Sequence, residues 1–193
     1  MEDIIKILGF AGSLRKESYN RSALRAAVKL VPPGAQLDTF ELDKIPAYNG
    51  DHERELPEAV QAFKAAIRAA DAILIVTPEY NASVPGVLKN AMDWASRPYG
   101  DNAWDGKTVG VMGASPGMLG TARAQYHLRQ TFVFLNMFPL NRPEVMIARA
   151  DDKFDSEGNL RDQLTTAKIR ELLDSLIEWT RALQARKPAL AQR

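Results

Sequence analysis

Ala72-Ile73-Leu74-Ile75-Val76 is an unbroken apolar run rich in β-branched residues, and it constrains the fold more than any other segment. A strand with one wet face alternates apolar and polar side chains. A strand with no polar position must be covered on both faces, the condition found in parallel sheets flanked by helices. The rest of the chain supplies such helices. Ile4–Phe10 reads as another buried strand, and Arg21–Val31 as a helix with Ala23, Leu24, Ala27, Val28 and Val31 on one face, stopped by Pro32-Pro33-Gly34. Gln36–Leu42 alternates and reads as a less buried second strand. Then come a helix from Pro57 to Ala70, with Pro57 in its first turn, and, after the apolar run, a helix Val84–Ser96. Strand Thr108–Met112, helix Leu119–Leu135, strand Val145–Ile147 and helix Leu160–Ala185 complete the pattern. The last helix places Ile169, Leu172, Leu173, Leu176, Ile177 and Leu183 along one stripe. Five strands alternating with five helices predict an α/β fold of three layers, one parallel sheet with helices on both faces. The reading is a single domain over residues 1–186, with Lys187–Arg193 as a frayed tail.

Ligands of open parallel sheets bind beyond the carboxyl ends of the strands, near the switch in strand order. That rule points at the loops after Phe10, Thr77 and Met112. The first is Gly9-Phe10-Ala11-Gly12-Ser13-Leu14-Arg15-Lys16-Glu17-Ser18-Tyr19-Asn20. It joins a strand to a helix start, where unpaired N–H groups and the positive dipole end attract a phosphate. Ser13 and Ser18 add hydroxyls, Asn20 an amide and Arg15 a forked charge. No Lys-Ser/Thr pair of a Walker loop is present, and Arg15 stands where a dinucleotide fingerprint would place another glycine. A terminal monophosphate wrapped by side chains and backbone fits better than a pyrophosphate lying on glycine. An ordinary polar loop with a serine cap would carry much of the same composition.

The second loop, Thr77-Pro78-Glu79-Tyr80-Asn81-Ala82-Ser83-Val84-Pro85-Gly86, leaves the most buried strand. Pro78 stiffens it, Tyr80 offers a flat face, and Asn81 with the backbone amides can reach a heteroaromatic edge. The third, Gly113-Ala114-Ser115-Pro116-Gly117-Met118-Leu119-Gly120, has small residues against which a planar group can lie. It also matches the Gly-x-Ser-x-Gly nucleophile elbow of a serine hydrolase. Against that reading, the residue after Ser115 is Pro116, which has no N–H for an oxyanion hole, and the last histidine, His127, falls inside the next predicted helix.

Composition narrows the chemistry. Lysine and arginine number 25 against 24 acidic residues, a balance that argues against nucleic acid or an anionic membrane as the main partner. The absence of cysteine excludes disulfides, thiolate nucleophiles and cysteine-ligated iron–sulfur clusters, so redox work would need an organic cofactor or a metal site built without cysteine. The acidic Met1-Glu2-Asp3 and an apolar run ending at Phe10 do not read as a signal peptide. No stretch has the length of a membrane span, and a cytoplasmic protein is expected.

Three segments together resemble the NAD(P)H-dependent FMN reductases, the flavodoxin-like group that contains quinone and chromate reductases. They are Gly12 to Arg21, Pro78 to Trp94, and Ser115-Pro116-Gly117 with Arg123-Ala124-Gln125. The likeness runs in order over most of the chain and weakens after about Glu144. One departure is Thr121, where many members carry a second glycine beside Gly120. The resemblance implies FMN, its phosphate held by Ser13, Arg15, Ser18 and Asn20, and its ring against Pro78, Glu79, Tyr80 and Asn81 with Ser115 and Gly117 beneath or beside it. It also implies NADPH or NADH as donor and small-molecule acceptors: quinones, and chromate, azo dyes or free flavin. The flavin would do the chemistry, so no catalytic side chain and no metal is expected. A flavodoxin-type electron carrier is the other reading, but it needs a charged docking face and this chain is nearly neutral. A homodimer or homotetramer is implied as well. Phe132-Val133-Phe134-Leu135 has more apolar residues than one helix face can bury, so they close the core or meet another subunit.

Overall fold

The computed structural model describes residues 4–190, with the side chains of 187–190 left aside. Its sheet contains β1 (Ile5–Ala11), β2 (Ala35–Thr39), β3 (Ala72–Val76), β4 (Thr108–Ala114), β5 (Phe138–Pro139) and β6 (Val145–Ile147). The helices are α1 (Tyr19–Leu30), α2 (Glu58–Ala69), α3 (Gly86–Ala95), α4 (Ala122–Phe134) and α5 (Gln163–Leu190). The strand order is β2-β1-β3-β4-β5, every pairing is parallel, and β6 also pairs with β4. This is the flavodoxin-like order.

All five residues of β3 are buried, and they divide by the period of two that a strand imposes. Leu74 and Val76 join Ile5, Ile7, Leu24, Ala27, Ile169, Leu172 and Leu176 under α1 and α5. Ile73 and Ile75 join Leu8, Phe10, Val60, Phe63, Ile67, Leu88, Trp94 and Phe132 under α2, α3 and α4. The three layers follow from this division.

The fifth strand position departs from the single strand read at Val145–Ile147. Two short pieces share it: Phe138–Pro139 pairs with the start of β4, and Val145–Ile147 with its end. Leu140 still donates its N–H to the Val109 carbonyl at 2.8 Å, and residues 141–144 leave the ladder between the two pieces. The second strand stops at Thr39 rather than Leu42, whose side chain is buried from the following loop. The helix expected from Leu119 begins at Ala122, because Gly120 and Thr121 both take positive φ, 53° and 74°. The last helix spans Gln163–Leu190 rather than Leu160–Ala185, and of the expected tail Ala191–Arg193 lies outside the described residues.

From β1 the chain crosses to β2 on one side and later returns to β3 on the other, so the switch point lies between β1 and β3. The loops leaving β1, β3 and β4 all emerge at this edge.

Candidate functional site

Ser13, Arg15, Ser18 and Asn20 from the first loop line one cleft together with Pro78, Glu79 and Tyr80 from the second and Ala114, Ser115 and Pro116 from the third. Close packing brings the loops together. A Cβ on Gly12 would sit 3.1 Å from Leu88 Cβ and 3.3 Å from Pro78 Cδ. A Cβ on Gly113 would lie 2.0 Å from Thr121 Oγ1 and 2.3 Å from the Thr77 carbonyl, so only glycine fits there. A further depression, lined by Arg25, Ala26, Leu30 and Leu160, lies along α1 and gathers no comparable set from the strand ends.

In the first loop, Ser18 takes extended backbone and caps α1, its Oγ accepting the Asn20 N–H at 3.2 Å. The N–H groups of Ser13, Leu14, Arg15, Lys16 and Glu17 make no internal hydrogen bond among the described residues. They sit before the positive end of α1, a donor set suited to an oxygen-rich anion. Arg15 is exposed, its guanidinium 3.8 Å from the Glu17 carboxylate. Ser13 is buried, with its Oγ 3.3 Å from the Tyr80 hydroxyl. Asn20 differs from the sequence expectation of an amide aimed at the ligand. Its Nδ2 donates to the Ala114 carbonyl at 2.9 Å and its Oδ1 accepts the Ala114 N–H at 2.8 Å. It lines the cleft while fastening α1 to the end of β4.

In the second loop, Pro78 is buried and Tyr80 half-exposed. Tyr80 and Ser83 exchange backbone hydrogen bonds around Asn81 and Ala82, whose φ values are 51° and 61°. This is a two-residue turn with both central residues left-handed. Asn81 stands at its exposed tip and does not line the cleft. The carboxylate of Glu79 turns away to α4, where it accepts Arg123 Nε at 2.6 Å and the Ala124 N–H at 3.1 Å and pairs with the rest of the Arg123 guanidinium. Burial pushes this carboxyl up, but the bonds from Arg123 and Ala124 and the arginine charge outweigh it and hold the group below the ordinary glutamate value. What Glu79 offers the cleft is therefore its backbone. The sequence contained Arg123-Ala124-Gln125 as a motif but not this partner.

In the third loop, Ser115 is held through its backbone by Ile147 and Ala150, and its Oγ accepts the Gly117 N–H at 3.1 Å. Gly117 is exposed, outside the cleft lining. His127 Nδ1 lies 3.0 Å from Ser83 Oγ, and no hydrogen bond joins His127 to Ser115. Ser115 has no histidine partner among the described residues and no N–H on Pro116 beside it, and the hydrolase reading of this loop falls.

The apolar run on α4 resolves residue by residue. Phe132 and Leu135 are buried in the core, while Val133 and Phe134 are 82% and 78% exposed. Among the described residues no helix is long and apolar enough to cross a membrane.

Comparison with known proteins points one way. The model of the NADPH-dependent FMN reductase family matches residues 5–152. An NAD(P)H-dependent FMN reductase of Pseudomonas aeruginosa is 52% identical over 185 residues, 95% of this chain and 100% of that protein. A quinone reductase of Pseudomonas putida is 43% identical over 186 residues, 96% and 100% of the two chains. The solved structure of a flavoenzyme NAD(P)H:(acceptor) oxidoreductase from Paracoccus denitrificans superposes with a TM-score of 0.86 at 34% identity, covering 93% of this chain and 98% of that one.

Proposed function

This chain belongs to the NADPH-dependent FMN reductase family, and on that premise we propose that its cleft holds FMN and serves electron transfer from NAD(P)H to quinones. The observation that carries the reading is the meeting of three loops at the switch point, one with unpaired N–H donors before a helix and two forming stiff walls. FMN, when bound, supplies the redox chemistry, taking hydride equivalents from the nicotinamide and passing electrons to the acceptor.

The protein's part is placement. The N–H groups of the first loop, with Ser13, Ser18 and Arg15, would hold the phosphate against the start of α1. The ring would lie between Pro78–Tyr80 and Ala114–Ser115, with Asn81 and Gly117 at the rim. Gly12 and Gly113 leave the loops close enough to form one cleft. A single FMN-binding domain over residues 1–186 accounts for these contacts. The exposed Val133 and Phe134 on α4 mark the face that would meet a second copy in a homodimer or homotetramer.

The test is the visible spectrum of the purified protein before and after anaerobic NADPH and NADH. Flavin bands that bleach with either nucleotide, and return on adding a quinone, are expected. Flavin that neither nucleotide reduces would favour an electron carrier, and failure to bind FMN would overturn the assignment.

A further inference from the structure

We infer that Arg123 and His127 are positioning residues, which hold the ring-side loop of residues 79–83 to the first turns of α4 through Glu79 and Ser83. The inference rests on the FMN reading of the cleft. Beside the contact of the Tyr80 hydroxyl with Ser13 Oγ at 3.3 Å, the loop has two side-chain anchors on α4: Glu79 on Arg123 and the Ala124 N–H, and Ser83 on His127 one turn later. Between them stands a turn with Asn81 and Ala82 at positive φ. Such backbone is costly for residues other than glycine and persists where the surroundings over-determine it. The two anchors supply that determination.

A helix-capping role for Glu79 explains part of the contact and leaves part over. The Ala124 N–H belongs to the first turn of α4, and a carboxylate there satisfies an orphan donor. That role needs no guanidinium. Arg123 gives Glu79 a further charge-assisted bond and ion pair while its own side chain stays about half-exposed. The Glu79 side chain, by contrast, is only 7% exposed. The arginine thus fixes the carboxylate in place, and with it the backbone between Pro78 and Tyr80 that faces the cleft. Gln125 completes the motif: its Nε2 donates to Thr121 Oγ1 and to the Val145 carbonyl, so the start of α4 is itself tied to β6. The Arg123-Ala124-Gln125 motif is then a mount that joins the ring-side loop to the sheet.

The test compares FMN with riboflavin, which lacks the phosphate, by fluorescence quenching on the full-length apoprotein and its variants. Arg123→Met should weaken both flavins by the same factor, about tenfold, because the phosphate loop is untouched. Arg123→Lys, which keeps the charge but not the fork, should fall between that variant and wild type. Ser83→Ala should weaken both by about threefold. The Glu79→Gln/Arg123→Met pair should bind no more weakly than the worse single variant. Unchanged riboflavin affinity in Arg123→Met would overturn the inference even if FMN binding fell. Should that variant fail to fold, Arg123→Lys is read by the same criterion. Failure of the wild-type chain to bind either flavin would overturn the cofactor reading and this proposal with it.

Discussion

Asn20 and Ala114 are 94 residues apart in the chain, yet they exchange two hydrogen bonds, the side-chain amide of one answering the N–H and C=O of the other. A side chain here completes the rung that a neighbouring strand would otherwise supply, and it joins the first loop to the third. Asn20→Asp replaces the donor with an oxygen facing the Ala114 carbonyl. That variant should lose about 2–4 kcal/mol in urea unfolding. A loss below about 1 kcal/mol would show that the pair is dispensable.

Ala82 takes φ of 61° in a turn whose favoured residue at that place is glycine. Ala82→Gly should therefore stabilise the protein by about 0.5–1 kcal/mol, and Ala82→Val should destabilise it by more. Thermal or urea unfolding of the pair gives the sign. Stabilisation by valine would show that the turn relaxes to another conformation in solution.

Lys64 is buried to 1% exposure and bonds the Asp101 carbonyl at 2.9 Å and its carboxylate at 2.8 Å, with the Arg97 carbonyl as a further acceptor. The Lys64 hydrogen bond is the main cause that holds the Asp101 carboxyl below its ordinary value, against burial and aided by the charges of Lys64 and Arg68. A depressed folded pKa stabilises fully above the unfolded value, about 4, and that contribution is lost as pH falls through the lower folded value. Asp101→Asn should thus lower stability at neutral pH by about 1 kcal/mol or less, its carboxylate being half-exposed, and flatten the acid limb of the profile. Lys64→Met strands the carbonyls and should cost about 3 kcal/mol while leaving flavin affinity alone, since this loop enters β4 at the end far from the cleft. An acid limb as steep in Asp101→Asn as in wild type would place the titration elsewhere.

Val133 and Phe134 lie outside the core, so replacing both with glutamate should leave the far-ultraviolet circular dichroism of the folded chain nearly unchanged. The same change should convert an oligomer to a smaller species in sedimentation velocity. A wild-type monomer, or a variant with wild-type mass, would place the subunit contact on another face or remove it.

The sheet was legible because burial on both faces leaves a compositional mark: Ala72–Val76 has no polar position, and every residue of it is buried. The three loops were legible because strand direction alone decides where they emerge. The pairings within the site were not. Nothing near Asn20 or Glu79 in the chain marks Ala114 or Arg123 as the partner, because the fold sets those distances. Phe138–Pro139 is too short to show a period. Thr121 was visible as a departure from glycine, but its φ of 74° at the entrance of α4 is conformational and leaves no local pattern. The run Phe132–Leu135 is open in the sequence between core and interface; in the structure Phe132 and Leu135 are buried and the adjacent Val133 and Phe134 exposed.

The cap on α1 comes from the chain itself, through Ser18 Oγ on the Asn20 N–H. A helix finished in this way does not depend on a visiting anion to complete its first turn. The first turn of α1 is thus closed by the chain itself, while the N–H groups of residues 13–17 stand ahead of it with no internal partner among the described residues. An anion seated there, as proposed for the cofactor's phosphate, would meet a helix start that is already complete.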